Sequence, residues 1–241
     1  QISAGTYHMC AVTASGVLHC WGGRNAAGVQ PAHAPSVYSP GSGAKVRQVS
    51  CGDAHTCVVL DTGHLECFGA NTYGQLGLGV SDPVVAHANA GVVLSADGSR
   101  SAVQVSTGSN HTCVVLDNSK LRCFGKGGSG QLGAGMAVYA IGGNAISVFN
   151  ATEPSAVPSF IGSNGAKVAF PSVNLGGDVM QVALGGRHTC VVVREDKYRV
   201  KCFGSGFYGQ LGSGGTTDIG DDEQPSSTAL SLNLFGGGVA R

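Results

Sequence analysis

Residues 55–69 read HTCVVLDTGHLECFG, in which two cysteines lie ten positions apart around an apolar run and a polar turn. Close variants of this stretch begin at His8, His111 and His188. Alternating and β-branched residues are typical of strands, and the Asp, Asn, Ser and Gly clusters between them are typical of turns. Each stretch therefore predicts a β-hairpin. No segment shows the sustained 3.6-residue apolar period of a helix, so the sequence indicates an all-β fold.

A repeat of about 50 residues surrounds these hairpins. Each unit begins with a short alternating segment that ends in glycine, and three of the units close with GQLG. The whole of 1–241 is interpreted as a single repeat domain with a long insertion at 136–178 and a C-terminal closing strand at 228–241. The repeat units cover approximately residues 1–30, 46–79, 102–135 and 179–214.

The hairpin register brings the two cysteines of each unit face to face. Directly opposed residues in an antiparallel pair have Cβ atoms about 4.5–5.5 Å apart, and a modest adjustment reaches the roughly 3.8 Å of a disulfide. The loop of the fourth unit is two residues longer, and this lengthening preserves the facing. We therefore predict four hairpin disulfides, the alternative being four pairs of buried free thiols. The predicted pairs are Cys10–Cys20, Cys57–Cys67, Cys113–Cys123 and Cys190–Cys202.

The ninth cysteine, Cys51, has no counterpart in the other units, where Ala4, Thr107 and Leu184 stand at the same position. We expect it to be a buried free thiol, with an intermolecular bridge as the alternative. Disulfides persist in oxidising compartments, so the paired cysteines indicate a location outside the cell or on its surface.

Two sequons for N-linked glycans support the same location. NHT begins at Asn110 and NAT begins at Asn150. Asn110 aligns with Tyr7, Ala54 and Arg187 of the other units, and this mixed chemistry predicts an exposed turn. We predict sugar on both asparagines.

The composition excludes several classes of protein. Charged residues make up 12% of the chain and the formal net charge is zero, which disfavours a nucleic-acid partner. No apolar run approaches the roughly 20 residues of a membrane-spanning helix. No signal peptide opens the chain, and Gln1 directly precedes a predicted strand, so we expect a mature or excised fragment. The Pro- and Ala-containing segment 31–40 is interpreted as an extended surface linker.

Motifs that could indicate chemistry are better explained by the repeat. GKGGSG at 125–130 and GSGFYG at 204–209 fit G-x-G-x-x-G, but they align with GANTYG at 69–74 and no helical pattern follows. The histidine that opens each hairpin is expected to hydrogen-bond a neighbouring backbone group. The acidic loop 218–223 is interpreted as solvated rather than as a metal site. No nucleophile and base stand out, so we predict no cofactor, no metal and no enzymatic activity.

The stretch VSCGDAHTCVVLDTGHLECFGANTYGQLGLG at 49–79 resembles a repeat of the regulator of chromosome condensation family. This resemblance implies a β-propeller, which in the family has typically seven blades of four-stranded sheets. The chain departs from the pattern because it has four units and paired cysteines. The cysteine pairs, with CWG at 20–22, are similar to the ectodomain repeats of crinkly-type plant receptor kinases and again imply an extracellular protein.

The end of the chain, VAR at 239–241, would run into QISAG at 1–5 as KVR runs into QVSCG in the second unit. The four repeats are therefore expected either to close a ring or to continue into a neighbouring copy. We predict a non-enzymatic extracellular structural or interaction protein whose copies join head to tail into a glycosylated surface filament or coat. The alternative is a propeller-type binding module that meets another protein, as a receptor ectodomain, a secreted inhibitor or a GTPase regulator.

Overall fold

The computed structural model of the chain describes residues 1–23, 32–40, 43–78, 84–85, 91–92, 94–95, 98–135, 138–141, 147–148, 172–221 and 225. Asn150 and the predicted closing strand at 228–241 lie outside the described residues.

The regular elements of this part of the chain are seventeen β-strands. They are β1 Ile2–Ala4, β2 His8–Val12, β3 Leu18–Gly22, β4 Ala32–Tyr38, β5 Val46–Cys51, β6 His55–Leu60, β7 Leu65–Ala70, β8 Val84–Val85, β9 Ala102–Thr107, β10 His111–Leu116, β11 Leu121–Lys126, β12 Val138–Ile141, β13 Ser147–Val148, β14 Ser172–Val173, β15 Asp178–Leu184, β16 His188–Arg194 and β17 Tyr198–Gly204.

The strands form four antiparallel sheets, one for each repeat, and each sheet is one blade. The first blade has the order β1-β2-β3-β4 and the second has the order β5-β6-β7-β8. The third runs β13-β12-β11-β10-β9, with β14 also paired to β11. The fourth consists of β15-β16-β17, and an isolated bridge adds Ile219 beside Gly204. The prediction of an all-β fold built from propeller-type blades is confirmed.

Two hydrophobic clusters, which lie between consecutive blades, form the core. The phenylalanine of each C-F-G segment, at Phe68, Phe124 and Phe203, is almost completely buried. Burying one such side chain stabilises the fold by roughly 1.5–3 kcal/mol. Blades therefore depend on their neighbours for burial, as the repeat pattern requires.

The segment 31–40 is not a surface linker, and this expectation was wrong. Residues 32–38 form β4, which pairs with β3, and Tyr38 at its end is buried. The Tyr38 hydroxyl donates a hydrogen bond to the buried carboxylate of Glu66 in the second blade, and the two rings of Tyr38 and Phe68 stack. A buried carboxylate requires such a partner, which gives this strand a structural role that its composition does not reveal.

The backbones of neighbouring blades approach closely at the glycine that follows the first strand of a blade. A Cβ atom on Gly108 would meet the ring of His111 and would lie 2.5 Å from the carbonyl oxygen of Gly185 in the next blade. Gly52 stands in the same relation to Gly108, with 2.5 Å from its Cβ position to that carbonyl oxygen. The glycine of the family pattern is thus required by the blade-to-blade spacing.

The blades stack in chain order. Strands β1 and β2 pack against β5, β5 and β6 pack against β9, and β9 and β10 pack against β15. The two ends of the stack are exposed, since Ile2 in the first blade is 63% exposed, and Gln181 in the fourth is exposed whereas its counterparts Gln48 and Gln104 are half-buried. The described residues therefore form an open stack with two end faces. Among them, no helix has the length and hydrophobicity needed to cross a membrane.

Candidate interaction face at the open end of the blade stack

The hairpin register sets each cysteine of a predicted pair directly opposite its partner. Cys57 faces Cys67 across β6 and β7, and Cys190 faces Cys202 across the longer hairpin of β16 and β17. The structure joins all four pairs, with S–S distances of 2.08–2.13 Å. Each bridge closes a short loop within a single blade, so the bridges strengthen blades and leave the contacts between blades non-covalent.

Cys51 lies between the first two blades as a buried free thiol. Burial raises the pKa of this thiol to about 11, although hydrogen bonds from Ser3, Thr56 and Cys10 oppose the shift. Its sulfur lies within 4.8 Å of ligand atoms of His8 and Cys10. The Cys10 sulfur is already bonded to Cys20, so this group offers two ligand atoms and lacks the set that a tetrahedral metal site needs.

A side-chain hydrogen bond joins the hairpin histidine of one blade to the hairpin threonine of the next. The Nε2–Oγ1 distances are 2.7 Å for His8–Thr56, 3.0 Å for His55–Thr112 and 3.1 Å for His111–Thr189. For His55 and His111, the prediction of a backbone partner was wrong. The partner is a threonine hydroxyl some 50 or more residues further along the chain, which a reading of one repeat at a time does not find.

For His55–Thr112 and His111–Thr189, the direction of the hydrogen bond follows from the second contact of the threonine hydroxyl. Thr112 Oγ1 donates its one proton to the carbonyl oxygen of Gln75, at 2.9 Å. It must then accept from His55 Nε2–H, which leaves the buried Nδ1 of His55 unprotonated and without a hydrogen-bond partner. Thr189 is held in the same way by His111 and the carbonyl oxygen of Gln131. In both cases a histidine and a GQLG carbonyl of one blade bind the threonine hydroxyl of the next blade. We call this arrangement the threonine clamp.

Two further contacts accompany the clamp. The side-chain amide of Gln48 donates to the carbonyl oxygen of Val105 and accepts from its N–H, at 3.1 and 2.9 Å. The Ser50 hydroxyl accepts from the N–H of Thr107 at 3.0 Å. Gln104 repeats the amide contact with Val182 in the fourth blade. The amide contacts reach backbone groups only, whereas the Ser50 hydroxyl also lies 2.9 Å from the hydroxyl of Thr107.

The fourth blade carries the donating half of this interface at an exposed end face. His188 is partly exposed, and no hydroxyl in the described ranges lies on its Nε2. The carbonyl oxygen of Gln210, which corresponds to Gln75 and Gln131, likewise has no donor among these residues. Gln181, the counterpart of Gln48, is exposed. Ala183 stands at the position that Ser50 and Ser106 hold in the second and third blades.

Two aromatic side chains lie beside this end face. Tyr208 is 85% exposed and Phe207 is 69% exposed, and their rings meet edge to face at 4.9 Å. Tyr208 aligns with Tyr73 of the second blade, whose ring is covered by the ammonium of Lys126 from the third blade at 4.8 Å. The fourth blade therefore presents the histidine and carbonyl half of a threonine clamp. Beside it lies an aromatic surface of the kind that the next blade covers elsewhere in the stack.

Burial keeps the clamp histidines neutral. It lowers the pKa of His55 and of His111 to about 3, and repulsion from neighbouring histidines acts in the same direction. Burial also lowers the pKa of His188, which remains partly exposed at the end face. A neutral imidazole with its proton on Nε2 is the form that donates to the threonine.

Removing one threonine hydroxyl is expected to destabilise the stack. Thr112→Val leaves His55 Nε2–H and the Gln75 carbonyl buried without partners, and we expect a loss of about 2–5 kcal/mol in the free energy of unfolding. Urea unfolding monitored by circular dichroism measures the change. Thr112→Ser should recover most of the loss, and Thr62→Val on an exposed turn should change the free energy by less than about 0.5 kcal/mol. Equal stability of Thr112→Val and the unchanged chain would contradict the assignment.

Asn110 lies in the turn between β9 and β10 and is partly buried rather than fully exposed. Its backbone carbonyl accepts from the N–H of Lys126 at 2.8 Å. In the acidic loop, Asp218 accepts from the N–H of Gly206 at 2.8 Å, so this carboxylate supports its own loop.

Four antiparallel blades joined side by side define a propeller-type repeat protein. The family model of the regulator of chromosome condensation (RCC1) repeat matches residues 1–28, 46–75, 102–131 and 179–210, and a second model of this repeat matches 63–115. The chain belongs to the RCC1 repeat family, as its motifs predict.

The chain is similar to several known proteins. The chain is 29% identical to the probable E3 ubiquitin-protein ligase HERC4 of Mus musculus, over 90% of the chain and 18% of the ligase. Yeast RCC1 (Prp20), solved with Kap60 bound, superimposes with a TM-score of 0.52 at 14% identity, over 98% of the chain and 61% of that protein. The crinkly ectodomain of the Arabidopsis thaliana receptor kinase ACR4 aligns with a TM-score of 0.43 at 17% identity, over 84% and 48%. The chain thus spans about a fifth of the ligase.

Proposed function

We propose that the chain is a non-enzymatic interaction module that works outside the cell or at its surface and binds another protein through its blade stack. The observation that carries the proposal is the bonding of eight of the nine cysteines within four hairpins. Such bridges persist in oxidising compartments. A protein partner is supported by the fold relative yeast RCC1, which was solved with Kap60 bound.

The placement of the reactive side chains supports a non-enzymatic role. The paired cysteines are consumed in bridges, and the one free thiol is buried with a raised pKa. His55 and His111 are fully buried and donate to threonines, so they have no access to a substrate. The exposed features are aromatic side chains and strand edges, which are typical of surfaces that bind proteins.

Head-to-tail joining of copies into a glycosylated filament or coat is a second candidate. It is favoured by the exposure of equivalent strands at opposite ends of the stack, β1 in the first blade and β15 in the fourth. Glycans on Asn110 and Asn150 would then decorate the outer surface of the assembly.

Site mapping of glycans tests the extracellular part of the proposal. The chain is secreted from eukaryotic cells, treated with an N-glycosidase in heavy-oxygen water, and digested for mass spectrometry. We expect the label at Asn110 and Asn150. Asn118, which is not in a sequon, is the internal control and should carry no label. Secreted protein without label at either sequon would contradict the proposed glycoprotein.

A further inference from the structure

We propose that the end face of the fourth blade binds an additional blade of the same repeat class, one that carries threonine directly after its hairpin histidine. This inference rests on the proposed function, because it names the partner of the interaction module. The partner is defined by its chemistry. The backbone of its first strand meets Gln181, and its threonine hydroxyl fills the clamp. A long cationic side chain follows the glycine of its C-F-G segment.

The threonine requirement follows from the three interfaces within the chain. Thr56, Thr112 and Thr189 each hydrogen-bond the histidine of the preceding blade, and Thr112 and Thr189 accept in that bond. In the two cases where the GQLG segment belongs to the described residues, the same hydroxyl also donates to its glutamine carbonyl. The fourth blade repeats this donor and acceptor with His188 and Gln210. A threonine hydroxyl is the group that satisfies both at once.

The chain's own first blade does not meet this requirement. Met9 stands where the other blades have threonine, and the register confirms the equivalence: Met9 pairs with Ala4 and Trp21 as Thr56 pairs with Cys51 and Phe68. A thioether there would leave His188 Nε2–H and the Gln210 carbonyl unpaired once buried. Leaving buried polar groups unpaired is unfavourable, so the face selects against a second copy of this chain, and this inference therefore disfavours the head-to-tail filament.

The cationic residue is inferred from the aromatic side chain beside the clamp. Lys126 follows the C-F-G segment of the third blade and covers Tyr73 of the second. Tyr208 presents the equivalent ring at the end face, 85% exposed. The equivalent of Lys126 in the chain's own first blade is Gly23, which has no side chain to cover that ring. Two separate positions of the first blade therefore fail to match the face.

The test supplies the missing hydroxyl on a known blade. The purified, oxidised chain is immobilised, and three soluble forms of the same chain are measured against it by biolayer interferometry: the unchanged chain, Met9→Thr and Met9→Val. Valine has the shape of threonine without the hydroxyl, so it is the matched control. Circular dichroism verifies that each form is folded.

We expect Met9→Thr to bind about tenfold or more tightly than Met9→Val or the unchanged chain, because it alone satisfies both clamp groups. His188→Ala in the immobilised chain should abolish that difference. Equal binding of the threonine and valine forms would overturn the proposal, as would strong binding by the unchanged chain or no binding by any form. Since the assay uses purified protein, its failure would leave the extracellular proposal, tested by glycan mapping, standing separately.

Discussion

Reduction of the four hairpin bridges is expected to unfold the chain at room temperature. Each bridge closes a loop of ten or twelve residues, and the chain-entropy model gives about 2.7 kcal/mol for a loop of this size. The bridges lie in separate blades, so their effects should add to about 11 kcal/mol. This is comparable with the roughly 5–15 kcal/mol that stabilises an ordinary domain. Thermal unfolding with and without reductant, followed by circular dichroism, measures the loss.

Two variants separate the bridges from other effects of the reductant. Cys51→Ser removes the free thiol and should leave the response to reduction unchanged, because Cys51 takes part in no bridge. The double variant Cys113→Ser and Cys123→Ser removes one bridge and should lower the free energy of unfolding by about 3 kcal/mol under oxidising conditions. A fully reduced chain that melts at the same temperature as the oxidised one would show that the bridges contribute nothing.

Mild acid is expected to weaken the stack through its buried histidines. The folded pKa of His55 and of His111, about 3, lies below the ordinary value of 6.5. The unfolded chain therefore binds protons that the folded chain does not, and stability is full above pH 6.5 and is lost as the pH falls from 6.5 towards 3. Well below pH 6.5 each histidine loses about 1.4 kcal/mol per pH unit, so the pair should lose about 4 kcal/mol between pH 7.5 and 5.

Urea unfolding at pH 7.5 and at pH 5.0 measures this loss, in a window above the ordinary pKa of most carboxyl groups. His111→Gln keeps a donor at this position but cannot titrate. It should reduce the difference between the two pH values by about 2 kcal/mol, whatever its effect at pH 7.5. A pH dependence that is the same in the variant and the unchanged chain would contradict the buried, neutral state of His111.

The hairpins could be predicted from the sequence because strand periodicity is local. The facing of Cys190 and Cys202 follows from the side-chain period of two and from the position of the turn. The strands of the long insertion were harder to predict, because β12, β13 and β14 are only two to four residues long. β12 pairs with β11 as β8 pairs with β7, but no repeated motif marks it in the sequence. Tyr38 was missed for a related reason: its partner Glu66 belongs to the next blade.

The threonine clamp could not be predicted from single repeats, because His55 and Thr112 are 57 residues apart. One signal was present in the sequence. Threonine follows the histidine in three units, and Met9 replaces it in the first. A comparison of units as neighbours, rather than as copies, would have shown that the residue after the histidine faces the preceding blade. The donation of the Thr112 hydroxyl to the Gln75 carbonyl then identifies this hydroxyl as the acceptor from His55.

A count of free thiols in the protein from its native source tests the central claim most directly. The protein is unfolded in denaturant with an alkylating reagent before and after reduction, and its intact mass is measured. An oxidised extracellular module predicts one alkylated cysteine before reduction, Cys51, and nine after it. Nine alkylated cysteines before reduction would contradict the account and would place the protein in a reducing compartment.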